Sequence, residues 1–246
     1  MARVKRFFYP GHPLHILLRG NNGIACFREQ EDYATYLDKL QYASSNYGVA
    51  VHAYVLMENH VHLLVTPQDA EAIGRMMQSL GCFYTRYFNV RHHRTGTLWE
   101  GRYKSTLMEN DQYPLLLMRF VESNPVRTGY VNNPSEYAFS SYRYNAEGKP
   151  SALIQPQKSY LELAGNESER RLRYQLLSEK PLDRAITKFL QTATTKGWVL
   201  GSRQFKRKLS NEIGCKVEPQ PKGGDRKSAS YRSRMRYHSK ESSVPD

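Results

Sequence analysis

The stretch Val51-His52-Ala53-Tyr54-Val55-Leu56-Met57-Glu58-Asn59-His60-Val61-His62-Leu63-Leu64-Val65 decides the fold. Its two apolar runs are separated only by the polar pair Glu58-Asn59. That spacing predicts two antiparallel strands, 51–57 and 60–65, joined by a tight turn. Strand side chains alternate with period two, so Val61, Leu63 and Val65 share one face while His60 and His62 share the other. Two imidazoles so placed can converge on one divalent metal. The bland alternative is one buried and one surface histidine, together by chance. A second run, Phe120-Val121-Glu122-Ser123-Asn124-Pro125, is expected near the end of a helix, where Asn124 would add an oxygen ligand.

The flanking sequence supplies the other elements. Leu14 to Leu18 reads as a first strand, closed by Arg19-Gly20-Asn21-Asn22-Gly23. Tyr33, Tyr36, Leu37 and Leu40 recur at helical spacing between Glu31 and Tyr47, with Gly48 as the stop. After Pro67, a helix led by Asp69 carries Ile73, Met76, Met77, Leu80, Tyr84 and Tyr87 on one stripe. Residues 102–108 read as a short strand, and Asp111 caps a helix with Tyr113, Leu116, Leu117 and Phe120 on one face. The order strand, helix, strand, strand, helix, strand predicts an α+β chain of the ferredoxin-like, split βαβ kind. An antiparallel sheet of about four strands would carry helices on one face, followed by a basic helical C-terminal extension. A further helix after the last strand would bring Asn124 back across the sheet.

The expected division is a core domain at 1–145, a linker at 146–165, a helical extension at 166–218 and a basic, disordered tail at 219–246. In the extension Asn166 and Ser202 are cap candidates, and Leu182, Ala185, Ile186, Phe189 and Leu190 form an amphipathic helix. Helix, glycine turn and basic helix are compatible with a helix-turn-helix reader or with a plain packing appendage.

The chain has 36 Lys and Arg against 23 Asp and Glu, a formal +13, and residues 203–246 hold 12 of the basic and 5 of the acidic side chains. Such an excess favours a polyanionic partner, and the 18 tyrosines and 9 phenylalanines offer rings that stack on unpaired bases. No run of 18 apolar residues reads as a membrane span. Cys26, Cys82 and Cys215 are scattered and odd in number, which points away from a disulfide framework or zinc ribbon and toward a reducing cytoplasm. His52 reads as a core residue. The run Arg91-His92-His93-Arg94-Thr95-Gly96 reads as a nucleic-acid-facing loop rather than a metal site.

Taken together, several collinear motifs resemble the REP-associated tyrosine transposases, relatives of the single-strand insertion-sequence transposases within the His-hydrophobic-His endonucleases. They are Arg19-Gly20-Asn21, the run from His52 to Leu64, Tyr87-Phe88-Asn89, Leu98-Trp99-Glu100-Gly101-Arg102-Tyr103-Lys104-Ser105 and Asn124-Pro125-Val126-Arg127, covering about 5–145. Gly197 to Ser202 and Gly223-Gly224-Asp225-Arg226 are similar to the extension of some members. The resemblance implies a bacterial, cytoplasmic, nucleoid-associated protein, monomer or homodimer, acting sequence-specifically on single-stranded or hairpin DNA of a repetitive palindrome. It implies Mg2+ or Mn2+ held by His60, His62 and Asn124. A tyrosine one helical turn before the asparagine would attack the strand, leaving a 5′-phosphotyrosine and a free 3′-hydroxyl.

In this chain that nucleophile position is Phe120, which has no hydroxyl. The expectation therefore divides between an endonuclease-transposase, with another group substituting, and a DNA-binding or regulatory descendant that has lost cleavage. Tyr113 lies on the same stripe, but seven residues upstream puts it about 10 Å further along the helix axis, a poor replacement. A metal-bound water is a second route to nicking. Arg19, Asn21, Arg102, Lys104 and Arg127 are the expected DNA contacts, and Trp99 is either a base-stacking platform or a core anchor.

Overall fold

In the computed structural model, the chain is described for residues 6–215 and Val217, so the expected tail at 219–246 and Gly223-Gly224-Asp225-Arg226 lie outside the described residues. Four strands, β1 (Leu14–Arg19), β2 (Val49–Met57), β3 (His60–Pro67) and β4 (Lys104–Leu107), form one antiparallel sheet in the order β2-β3-β1-β4. Between them run α1 (Gln30–Asn46) and α2 (Ala72–Arg91). After β4 come α3 (Gln112–Glu122), α4 (Asn124–Arg127), α5 (Tyr142–Asn145), α6 (Lys158–Leu161), α7 (Glu167–Glu179), α8 (Arg184–Lys196) and α9 (Arg203–Glu212). This is the ferredoxin-like connectivity, with β3 between β1 and β2.

Local chemistry places the helix starts. Asp69 Oδ1 accepts from the backbone N–H of Glu71 and Ala72, both at 2.8 Å, ahead of α2. Asp111, Asn166 and Ser202 accept from the N–H of Tyr113, Glu169 and Phe205 at 3.0, 2.8 and 3.1 Å. Each satisfies a donor that the first helical turn leaves unpaired.

Strand alternation divides the core in two. Leu14, Ile16 and Leu18 of β1 and Val61, Leu63 and Val65 of β3 pack against Tyr36, Leu40, Met76, Leu80 and Tyr84 of α1 and α2. The opposite face carries His15, His60 and His62. It is covered by α3 and the helices of the extension, where Leu117, Met118, Phe120, Tyr160, Tyr174 and Leu190 join Leu64 and Met57. The two crossover helices thus share one face, and the second face is roofed by the chain beyond β4.

A β-bulge at His52 shifts the register of β2 between Val51 and Ala53. Val51 therefore belongs to the first core, whereas Ala53, Val55 and Met57 belong to the second. The extra residue turns its ring to the sheet edge, where Nδ1 lies 2.7 Å from Gln155 O and Nε2 lies 2.8 Å from Thr66 Oγ1. Gln155 N donates to Val51 O at 2.8 Å, and Leu153 and Ile154 are buried beside β2. Residues 146–165 therefore differ from the expected linker: two hydrophobic residues and a single parallel bridge, Val51 to Ile154, cover part of the β2 edge.

The other edge is covered in part as well. Leu200 N donates to Leu107 O and Glu109 N to Leu200 O, each at 2.9 Å, alongside β4. The chain crosses the sheet edge here, since Leu190 and Ala193 of α8 lie in the second core while Phe205 and Leu209 of α9 lie in the first. The two helices are split between opposite faces, so their arrangement is the packing appendage and not a helix-turn-helix unit.

Beneath this roof Glu122 is buried, and its carboxylate accepts from Ser141 Oγ at 2.5 Å, Tyr174 Oη at 2.6 Å and Asn145 Nδ2 at 2.7 Å. Burial pushes its carboxyl up to about 7, against the pull of those three donors. Tyr174→Phe, which leaves this carboxyl one donor short, is expected to lower the urea-unfolding free energy by about 1–3 kcal/mol. In the same assay Leu63→Ala, which opens a void in the first core, should cost about 2–5 kcal/mol. Values near zero would contradict the two-core description.

Candidate functional site

The histidine-bearing face begins with register. Arg19 pairs with His60 and Leu17 with His62 across β1 and β3, so those side chains stand together on the second face. His15 is diagonal to His62, and the two rings stack at 4.9 Å with an interplanar angle of 10°. The His60 and His62 rings lie 5.1 Å apart and nearly perpendicular. Asn124 reaches them from α4, with its amide nitrogen 2.9 Å from His60 Nε2.

Asn124 does not continue the helix of Phe120, as expected from spacing. α3 ends at Glu122, Ser123 leaves helical geometry (φ −84°, ψ 1°), and Asn124 opens a new short helix. Pro125 explains the break: it has no N–H to donate back into α3. Both side chains nevertheless meet the site. The buried Phe120 ring sets its edge against His62 at 5.7 Å and His15 at 5.8 Å.

Electrostatics keep the imidazoles neutral. Burial lowers His60 to about 4, with Arg19 and Arg127 adding to the effect. Burial likewise holds His62 well below its ordinary value, reinforced by His15, His60, Arg127 and Arg19. Near neutral pH both rings are therefore in the ligating form. The carbonyl oxygen Asn59 Oδ1, 2.7 Å from His60 Nδ1, can only accept, so His60 carries its proton on Nδ1 and presents the Nε2 lone pair to Asn124. Among the described residues, no group of three His, Cys, Asp or Glu side chains is placed to hold a metal. The set that fits is two neutral imidazoles and, with the amide turned to present Oδ1, the Asn124 oxygen, a hard-to-borderline donor set suited to Mg2+ or Mn2+.

These groups line a cleft of about 520 Å³ together with His15, Arg19, Arg127, Thr128, Tyr130, Gln191, Thr194 and Thr195. Arg127 is half-buried and stacks its guanidinium 4.3 Å over the Phe120 ring. Its Nη1 donates to Phe120 O at 2.5 Å and Ser123 Oγ at 2.6 Å. Among the described residues no carboxylate pairs with it, and burial pulls its pKa down to about 10. With Arg19, it gives the cleft two cations.

The remaining expected residues divide. Arg102 and Lys104 line a second, smaller groove with Arg6, Thr194 and Thr195, and the two threonines border both grooves. Asn21 is spent on Thr97 Oγ1 at 3.3 Å and does not line the cleft. Trp99 is a core anchor, packed 5.9 Å from Tyr84 and 6.4 Å from Tyr36. Tyr113 packs against the second core and is not a wall of the cleft. His92 faces inward, with Nε2 3.0 Å from the Asp32 carboxylate, because that buried acid needs a partner; the loop after α2 is therefore not free for DNA at that residue. Sequence reading missed His15, Tyr130 and the α8 side chains. Tyr130 is an exposed ring on the cleft wall whose hydroxyl donates to Glu58 Oε2 at 3.0 Å. For His15 a signal existed: period two puts it on the face of His60 and His62.

Residues 9–124 match the family model described as "Transposase IS200 like", just under half of the chain. No curated protein sequence matches. Among the solved structures that resemble the chain are two transposases. One, the REP-associated tyrosine transposase bound to a REP hairpin, is 15% identical, with 63% of this chain and 92% of that chain covered and a TM-score of 0.49. The other, a putative transposase from Deinococcus radiodurans R1, is 20% identical, with 50% and 97% covered and a TM-score of 0.34. The matched segment runs from before β1 to Asn124 and contains His60 and His62, so this part of the chain is similar to the IS200-like transposases.

Proposed function

We propose that this chain is a metal-dependent binder of single-stranded or hairpin DNA that keeps the transposase grip but has lost strand transfer through the family's tyrosine. The observation that supports this reading is the placing of two neutral histidines and an asparagine beside a phenylalanine. His60, His62 and Asn124 converge, while Phe120 beside them bears no hydroxyl and is capped by the Arg127 guanidinium. A divalent ion held there supplies Lewis-acid polarisation of a phosphodiester oxygen. Arg19 and Arg127 neutralise phosphate in the cleft, and Arg102 and Lys104 extend the basic path past Thr194 and Thr195. Phenylalanine at position 120 can form no phosphotyrosine, so no covalent intermediate conserves the phosphodiester energy there. Among the described residues no helix is long and apolar enough to cross a membrane. A cytoplasmic, nucleoid-associated DNA partner, as monomer or homodimer, completes this reading.

Incubation of a labelled palindromic hairpin with Mg2+ tests the proposal. The chain is expected to shift the hairpin without cutting it, and Phe120→Tyr is expected to gain a covalent protein–DNA adduct. An adduct formed by the unaltered chain would overturn the proposal, and peptide mapping would place it on Tyr130 or another tyrosine. Arg19→Ala should weaken binding across all sequences and flatten the slope of log K against log salt by about 0.7–0.9, the share of one phosphate contact. An unchanged slope would remove Arg19 from the interface.

A further inference from the structure

We propose that Thr194, on α8 of the C-terminal extension, fixes His62 in its metal-binding tautomer by acting through His15. The inference rests on the metal reading above and adds two positioning residues to it. Thr194 Oγ1 donates to Leu190 O, one turn back in its own helix, at 3.0 Å. A hydroxyl has one proton, so its oxygen is left as acceptor toward His15 Nδ1 at 2.7 Å. His15 therefore carries its hydrogen on Nδ1 and offers the Nε2 lone pair. That nitrogen lies 2.8 Å from His62 Nδ1, which must be the donor. His62 in turn holds its hydrogen on Nδ1 and is left with a lone pair on Nε2.

The opposite polarity would put a hydrogen on His62 Nε2 and abolish ligation. Nothing within His62 selects between the two forms, and the three side chains are buried, with His15 0%, Thr194 2% and His62 7% exposed. His60 acquires the same tautomer locally, from Asn59 next to it in the hairpin turn. His62 acquires it from a helix whose hydroxyl is 179 residues from His15 in sequence. Thr194 lies beyond the segment 9–124 that matches the transposase family, so the extension completes the metal site as well as covering it.

The test uses the full chain and Mn2+ alone, with affinity by calorimetry and imidazole tautomers by nitrogen-15 correlation spectra. In the unaltered protein, His15 and His62 are expected to be protonated on Nδ1; a hydrogen on His62 Nε2 overturns the proposal without any variant. Thr194→Val, which keeps the shape and removes the acceptor, is expected to weaken Mn2+ binding about 10–100-fold and to mix the His62 tautomers. Thr194→Ser should restore both readouts, which a purely structural role for the methyl group would not do. Equal Mn2+ affinity in the unaltered chain and Thr194→Val defeats this inference and leaves the metal reading standing. Failure of the unaltered chain to bind Mn2+ defeats the metal reading, and the tautomer spectra still decide the hydrogen-bond relay.

Discussion

The structure depends on the desolvation of three imidazoles wedged between a sheet and the helices that roof it. Protonating any of them would place a positive charge in a layer of Leu, Met and Phe side chains already facing Arg19 and Arg127, so burial holds them neutral. Neutral imidazoles need hydrogen-bond partners that are themselves buried, and the chain supplies them from the hairpin turn, from β1 and from α8. In the proposed function a stability requirement and a ligand requirement are met by the same contacts. The roof that buries His62 also carries the Thr194 hydroxyl, 2.7 Å from His15 Nδ1.

The same logic explains the cations. Arg127 is half-buried without an acidic partner among the described residues, and its guanidinium finds only a ring face, a carbonyl and a hydroxyl. Cation–π contact with Phe120 offsets part of that desolvation. That arrangement leaves room for an anion in the cleft, as the proposed function requires. Phe120 is therefore both a core residue and the floor under the cation.

Much of this was legible in the sequence because it is periodic. Alternation in 60–65 placed the histidines, helical stripes placed α1, α2 and α3, and the Asp111, Asn166 and Ser202 caps were in place as read. The residues that escaped obey no local period. The His52 bulge inverts the alternation of β2, and only the far side of the sheet reveals that Ala53 and Val55 changed faces. Residues 146–165 have a linker's composition, yet they bury Leu153 and Ile154 because an open sheet edge needs a cover. The sequence alone leaves Trp99 open between stacking platform and core anchor, and the Tyr84 and Tyr36 rings around it make it the anchor. Thr194 left no trace, since a mid-helix threonine gains meaning only from the histidine that a distant strand sets against it.

The central claim is that the ligand set survives the loss of the nucleophile. Anomalous diffraction from a crystal of the full chain soaked in Mn2+ tests it most directly. The account predicts one peak bound by His60 Nε2, His62 Nε2 and Asn124 Oδ1, beside an unmodified Phe120 ring. A peak elsewhere, or coordination through His62 Nδ1 with His15 displaced, would contradict it.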